Sequence, residues 1–218
     1  LFFTQTYKPL LMKFLKKVDI IITTSPQMKN NSPFLNNFKE KCKVIPLGID
    51  INRFKSDNVD FDFVKNLKSK YKKPILFFLG RLTYYKGLEY LLKAMQKIDA
   101  KLLIGGTGSL NNELIELSQK LDIKDKIEFL GYIDQKNIPN YFKASDVFIL
   151  PSIEKSEAFG IVQLEAMASG VPVISTNLPT GVPFVNKNNK TGYIIEPKNS
   201  NEIVKYVNKL INDENLKK

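Results

Sequence analysis

The 218-residue chain contains no histidine and one cysteine, Cys42. Without an imidazole, neither a Ser-His-Asp nor a Cys-His nucleophile system can be assembled. A zinc site loses its commonest nitrogen ligand as well, so no metal is expected. One cysteine cannot close an internal disulfide and suits a reducing cytoplasm; its expected place is a small buried position. No apolar run approaches the roughly 18–20 residues of a membrane span. Leu1-Phe2-Phe3 is too short for a signal-peptide core, follows no basic segment and leads to no small-residue cleavage site. The chain starts without methionine and in mid-element, which reads as a piece of a longer protein.

What is present is an ordinary globular balance, 43% hydrophobic and 25% charged, with an excess of positive charge. Lysine and arginine number 33 against 22 acids, a net +11. The first 55 residues hold ten basic side chains and three acidic ones, a net +7. Such a surface attracts anionic membranes, nucleic acid or a phosphorylated substrate, and a lysine- and asparagine-rich composition can also be plain genomic bias. Aromatic residues do not interleave with the basic ones, which argues against single-strand nucleic acid. The stretch Lys8–Lys17 (KPLLMKFLKK) is basic and amphipathic, and packing on its own sheet is the expectation over membrane contact.

Strand-like and helix-like segments alternate along the chain. Asp19–Thr24 is β-branched and apolar, Ser25-Pro26 signals a helix start, and Lys43–Pro46 is a second short strand. From Pro74 the pattern becomes regular. Strands are expected at 75–79, 101–104, 127–130, 146–150, 172–175 and 193–195. Helices are expected at 88–98, 110–121, 138–144, 161–168 and 202–211, with a further one at 61–70. Short apolar strands alternating with amphipathic helices predict an α/β fold with a doubly wound parallel sheet. In such a sheet, ligands sit beyond the C-terminal ends of the strands. The domain boundary is placed near 53–60.

The richest stretch is PSIEKSEAFGIVQLEAMASGVPVIST, beginning at Pro151. Glu157 ends a loop, and Glu165 sits inside the following helix among Ile161, Leu164 and Met167. An acid on the apolar side of a helix is costly unless a polar group meets it, and a sugar or ribose hydroxyl would. The helix N-terminus favours a neighbouring phosphate. The plainer reading is two structural acids near a helix start. A paired-carboxylate hydrolase is the other option, but one acid before the helix and one a turn inside it suit an extended ligand better than one scissile bond.

Arg81 and Lys86 follow the first regular strand and precede a helix, where a cation opposes the helix dipole. A diphosphate would resolve that conflict; read alone, the two are a solvated surface pair. Gly105-Gly106-Thr107-Gly108 invites a dinucleotide reading, but Asn111 and Thr107 stand where glycines are needed, so a tight strand-to-helix turn is preferred. Tyr132 could flank a base or be a half-buried loop tyrosine.

Taken together, IPLGIDINRF at 45–54, FLGRLTYYKGLEYLL at 78–92, GGTGSLNNEL at 105–114, FLGYI at 129–133, SDVFILPS at 145–152 and EAFGIVQLEAMASGVPVIS at 157–175 resemble the retaining family 4 glycosyltransferases of the GT-B fold. The resemblance runs from about residue 19 to the end. It implies that 1–53 is the remnant of an acceptor-binding N-terminal domain and 54–218 the nucleotide-sugar (donor) domain. Arg81 and Lys86 would hold the donor diphosphate, Glu157 the sugar hydroxyls and Glu165 the ribose. Gly160, Ile161 and Val162 would contribute backbone N–H groups, and Tyr132 and Ile133 would flank the base through backbone atoms. No cofactor and no metal are implied, since the UDP- or GDP-linked donor is itself a substrate. The acceptor would be a glycan or lipid-linked sugar, met in the cytoplasm or peripherally at the membrane through the N-terminal domain. The alternatives are a non-catalytic nucleotide-sugar or glycan-binding module and a GT-B-fold epimerase. Phe184 departs from the family, standing where many relatives have Glu, although a mannosyl- and rhamnosyltransferase-like bacterial subgroup looks similar across YKPLL, TSP and LPTGVPFV. The final helix is expected to be cut short near Lys218, and the chain alone to turn over little or nothing.

Overall fold

A computed structural model describes residues 2–213. The first part forms a small layer of its own. Helix α1 (Phe2–Lys17) turns Leu11, Met12 and Leu15 toward Ile21, Phe34, Leu35, Phe38 and Cys42. The basic stretch within it thus packs on its own sheet, while Leu10 and Phe14 stay exposed on the opposite side. Strands β1 (Ile21–Thr23) and β2 (Cys42–Val44) pair in parallel. Between them, α2 (Pro26–Asn31) starts as its sequence dictates: the Ser25 hydroxyl accepts the Met28 N–H at 3.1 Å, and Pro26 supplies the fixed φ of the first turn. Cys42 is buried, with Sγ 3.3 Å from the Phe38 carbonyl oxygen.

A 3₁₀ turn, Ile51–Phe54, leads out of this layer, with Asp50 accepting the Asn52 N–H at 3.0 Å. Helix α3 (Phe61–Tyr71) comes next, capped by Asp60, which accepts the Phe63 N–H at 2.9 Å. Beyond it lie β3 (Ile75–Leu79), α4 (Leu88–Met95), β4 (Lys101–Gly105), α5 (Asn111–Lys120) and β5 (Ile127–Gly131). The chain continues through α6 (Ile138–Ala144), β6 (Val147–Leu150), α7 (Val162–Ala168), β7 (Val173–Thr176), α8 (Val182–Val185), β8 (Gly192–Ile195) and α9 (Ser200–Asn212). The six strands from β3 to β8 form one parallel sheet in the order β5-β4-β3-β6-β7-β8.

Both faces of that sheet are covered, which is why its strands are apolar without alternation. Along β3, Leu76 and Phe78 enter a core completed by α4, α5 and α9; Ile75 and Phe77 enter another completed by α6, α7 and α8. The expected doubly wound architecture is the observed one. Boundary differences have local causes. Helix α4 stops at Met95 rather than 98, because the chain tightens into Lys97 N–Ala94 O and Ile98 N–Met95 O bonds. Helix α9 starts at Ser200 because Asn199 caps it, accepting the Glu202 N–H at 3.1 Å. The expected shortening near Lys218 lies outside the described residues. Among the described residues no helix is long and apolar enough to cross a membrane.

Strand order decides where a ligand can enter. From β3 the chain runs outward to β4 and β5, then returns to place β6 on the other flank of β3. The connections leaving β3 and β6 therefore diverge, and a crevice opens at their C-terminal ends.

Candidate functional site

Two loops build the walls of that crevice. After β3, Gly80-Arg81-Leu82-Thr83 runs into a 3₁₀ turn, Tyr84–Lys86, and ends at Gly87. After β6, Pro151 leads to Glu157 and on to α7. The loops are joined backbone to backbone: Ile153 N donates to the Tyr85 carbonyl at 2.8 Å. Gly87 has φ +66°, and a Cβ there would stand 2.1 Å from the Pro151 carbonyl oxygen, so only glycine permits the approach. The glycine segment after β4 supports the first loop from behind. Leu82 N donates to Thr107 O at 2.9 Å, and a Cβ on Gly106 would lie 1.9 Å from the Gly80 carbonyl oxygen. Residues 105–108 thus act as a packed strand-to-helix turn.

This clamping brings Lys86 and Glu157 together. Lys86 Nζ lies 2.5 Å from Glu157 Oε2, and the two residues are 8% and 7% exposed. The solvated surface pair that Arg81 and Lys86 suggest in sequence is not what forms. Lys86 is buried, and its conflict with the helix dipole is already answered by Glu157. The same carboxylate oxygen accepts the Ser152 hydroxyl at 2.8 Å.

Lys86, Glu157 and Glu165 all line one cleft of about 250 Å³, together with Leu79, Gly80, Gly160, Ile161 and Val162. Glu165, in the first turn of α7, is half-buried and has no side-chain hydrogen bond or ion pair among the described residues. Burial pushes its carboxyl above the ordinary value of 4.5, and the attraction of Arg53 pulls the other way. Gly160, with φ +71°, turns the chain into α7. The first bonds there run from Gln163 N to Gly160 O and from Leu164 N to Ile161 O, which leaves the Gly160, Ile161 and Val162 N–H groups ahead of the helical ladder.

Not every expected residue joins the cleft. Arg81 is exposed, makes no ion pair or side-chain hydrogen bond among the described residues, and is absent from the lining, although Gly80 beside it contributes. Tyr132 is 78% exposed and not half-buried. Ile133 is buried, with its Cδ1 against Gly105. Both come after β5, two strands from β3 on the same rim. Phe184 lies half-buried on α8, away from the lining. Sequence reasoning missed Ser152 and Arg53, although both stand inside family-like motifs, SDVFILPS and IPLGIDINRF. Arg53 donates through Nη2 to the Gln135 carbonyl at 3.3 Å, so it ties the 3₁₀ turn to the loop carrying Tyr132 and Ile133.

Known proteins share both the sequence pattern and the fold. The profile of the family described as "Glycosyl transferases group 1" matches residues 60–218. A D-rhamnosyltransferase of Pseudomonas aeruginosa is 33% identical over 176 residues, 81% of this chain and 45% of that protein. An O-antigen chain mannosyltransferase of Escherichia coli is 31% identical over 210 residues, 96% of this chain and 56% of that protein. The solved sucrose-phosphate synthase of Thermosynechococcus elongatus superposes with a TM-score of 0.84 at 27% identity, covering 97% of this chain and 54% of that one. The chain therefore spans about half the length of the curated relatives it matches. With its parallel sheet and the crevice between β3 and β6, the chain belongs to the group 1 glycosyl transferases and shares the fold of their GT-B members.

Proposed function

We propose that this chain supplies the donor half of a retaining hexosyltransferase, which moves a sugar from a nucleoside-diphosphate sugar to a glycan or lipid-linked acceptor. The observation that carries the reading is the convergence of Lys86, Glu157 and Glu165 on one cleft at the switch point of the sheet. Glu157 and Glu165 lie 71 and 79 residues beyond Lys86 in the chain, and the fold brings all three to one cleft. The proposed setting is surface-polysaccharide synthesis, at the cytoplasmic face of a membrane. The leaning toward mannose or a related sugar rests on the relatives' names.

In this reading the donor's diphosphate meets Lys86 and the amide groups at the start of α7, with Arg81 at the rim. Glu157 accepts hydroxyls of the transferred sugar, and Glu165 those of the ribose. The nucleobase extends toward Tyr132 and Ile133, since a cleft of about 250 Å³ is smaller than a typical ligand site of roughly 300–1,000 Å³. The anomeric carbon–phosphate oxygen bond breaks as the acceptor oxygen attacks the same face. The leaving diphosphate takes the acceptor's proton. The protein's contribution is electrostatic: a preplaced cation and amide dipoles stabilise charge that develops on the leaving group. No imidazole is needed for that step.

Calorimetric titration with UDP, GDP and their hexose conjugates tests the reading. Glu165→Ala is expected to weaken all nucleotides, and Glu157→Ala to blunt discrimination among sugars. Equal binding by wild type and both variants would refute the assignment. Transfer itself is read on a chain extended to the length of the relatives, with a lipid-linked glycan acceptor.

A further inference from the structure

We propose that Ser152 is a positioning residue for Glu157, holding the carboxylate in the cleft once a donor diphosphate has drawn Lys86 away. The proposal rests on the donor-site reading. Glu157 Oε2 accepts from two donors among the described residues, Lys86 Nζ at 2.5 Å and the Ser152 hydroxyl at 2.8 Å. The other carboxylate oxygen is left to accept from a ligand. The two donors differ in kind. Lys86 ends a flexible four-carbon stem and also lines the cleft, so an entering diphosphate competes with Glu157 for it. Ser152 does neither. It is fully buried, it lies just past the end of β6, and its own carbonyl accepts the Thr176 hydroxyl at 2.5 Å from the end of β7. One donor can leave, and the other is fixed to two strand ends.

That division has a consequence for sugar recognition. A carboxylate only 7% exposed that loses its cation must keep a donor, or it reorients toward another. With Ser152 in place, Glu157 stays aimed into the cleft, so its second oxygen can meet sugar hydroxyls while Lys86 serves the phosphate. Without Ser152, the diphosphate and the sugar compete for one ion pair.

The test compares the gain in affinity that a sugar adds to its nucleotide, which uniform loosening of the fold does not change. Wild type and Ser152→Ala are titrated by calorimetry with UDP and UDP-glucose, and with GDP and GDP-mannose. The expected result is a diphosphate Kd within about twofold of wild type and a roughly tenfold smaller sugar increment. Thr176→Val is expected to lose part of the increment in the same direction. Should Ser152→Ala not fold, Ser152→Cys keeps the volume with a weaker donor and gives the same comparison. An unchanged increment overturns the proposal and leaves the donor site standing, as does an equal loss of affinity for diphosphate and conjugate. A wild-type chain that gains nothing from the sugar overturns it too. A wild-type chain that binds no nucleotide overturns the donor-site reading and the proposal together.

Discussion

Replacing Lys86 by methionine removes an ammonium that is 8% exposed and leaves the Glu157 carboxylate, 7% exposed, with Ser152 as its one donor among the described residues. If the pair were at the surface, its loss would cost about 0–1 kcal/mol. Removing one member of a buried pair costs about 3–5 kcal/mol, because the partner remains charged in a poor solvent. Side-chain exposures of 10% on both sides put this pair in the second class. A loss of about 3 kcal/mol is a large part of a domain's total of about 5–15 kcal/mol. The Glu157→Gln single variant is expected to lose a similar amount by stranding Lys86. The double variant removes both charges and is expected to be more stable than either single by about 2 kcal/mol. Equilibrium urea unfolding of the four proteins measures this directly, with a common m-value as the check on two-state behaviour. Single losses under about 1 kcal/mol that add in the double variant would refute the buried pair, and with it the claim that a diphosphate must break it.

Three further outcomes are expected. Glu165 is held above its ordinary carboxylate value, so the folded chain binds more protons than the unfolded one between 4.5 and the raised value, and stability falls as pH rises through that window. Glu165→Gln is therefore expected to be more stable than wild type at pH 7, with the difference closing below pH 4.5 in thermal melts, while nucleotide affinity drops. Burial pushes the Glu128 carboxyl up, but the Tyr71 hydroxyl at 2.5 Å and Lys70 at 3.1 Å outweigh it and hold the group below 4.5. Tyr71→Phe is expected to cost about 1 kcal/mol at neutral pH, a cost that disappears as pH falls through the depressed value, read by urea unfolding across pH. Gly87→Ala places a Cβ 2.1 Å from a backbone oxygen at φ +66°, and is expected to cost more than the roughly 1–3 kcal/mol of left-handed strain alone and to abolish nucleotide binding.

The regular half of the fold was readable because its signals are local. ILFFL at β3 and VFIL at β6 are apolar throughout, and the helices between them carry a clear apolar face, so parallel winding can be inferred from pattern alone. Helix α8 carries no sequence signal because Val182–Val185 is a single turn containing Pro183, too short for any period. The site was readable in part for the same reason. Glu157 and Glu165 stand in one continuous segment, with a glycine turn between them. The pairing of Lys86 with Glu157 left no trace in local sequence, since it depends on β3 and β6 becoming neighbours after two intervening strands have gone to the other side. Ser152 is invisible for a similar reason: its importance lies in what its hydroxyl and its carbonyl touch.

In sequence the two acids of the cleft look equivalent, yet physically they are opposites, and that orders the steps of binding. Glu157 is satisfied within the protein by a cation and a hydroxyl, so its burial alone has a sufficient structural explanation. Glu165 is half-buried with no hydrogen-bond donor among the described residues, and Arg53 offsets its desolvation only in part, leaving a cost that a ligand at the cleft can offset further. On the proposed donor placement, the nucleoside end of a donor would therefore meet a carboxylate with no internal bond to break. The sugar end would meet one whose counter-ion must first be shared or withdrawn. A nucleoside diphosphate should accordingly bind well without a sugar, a free sugar should bind poorly without the diphosphate, and the two together should bind more tightly than their separate affinities allow. That cooperativity comes from a single ammonium changing partners, and it should vanish in Lys86→Met, where no cation remains to be exchanged.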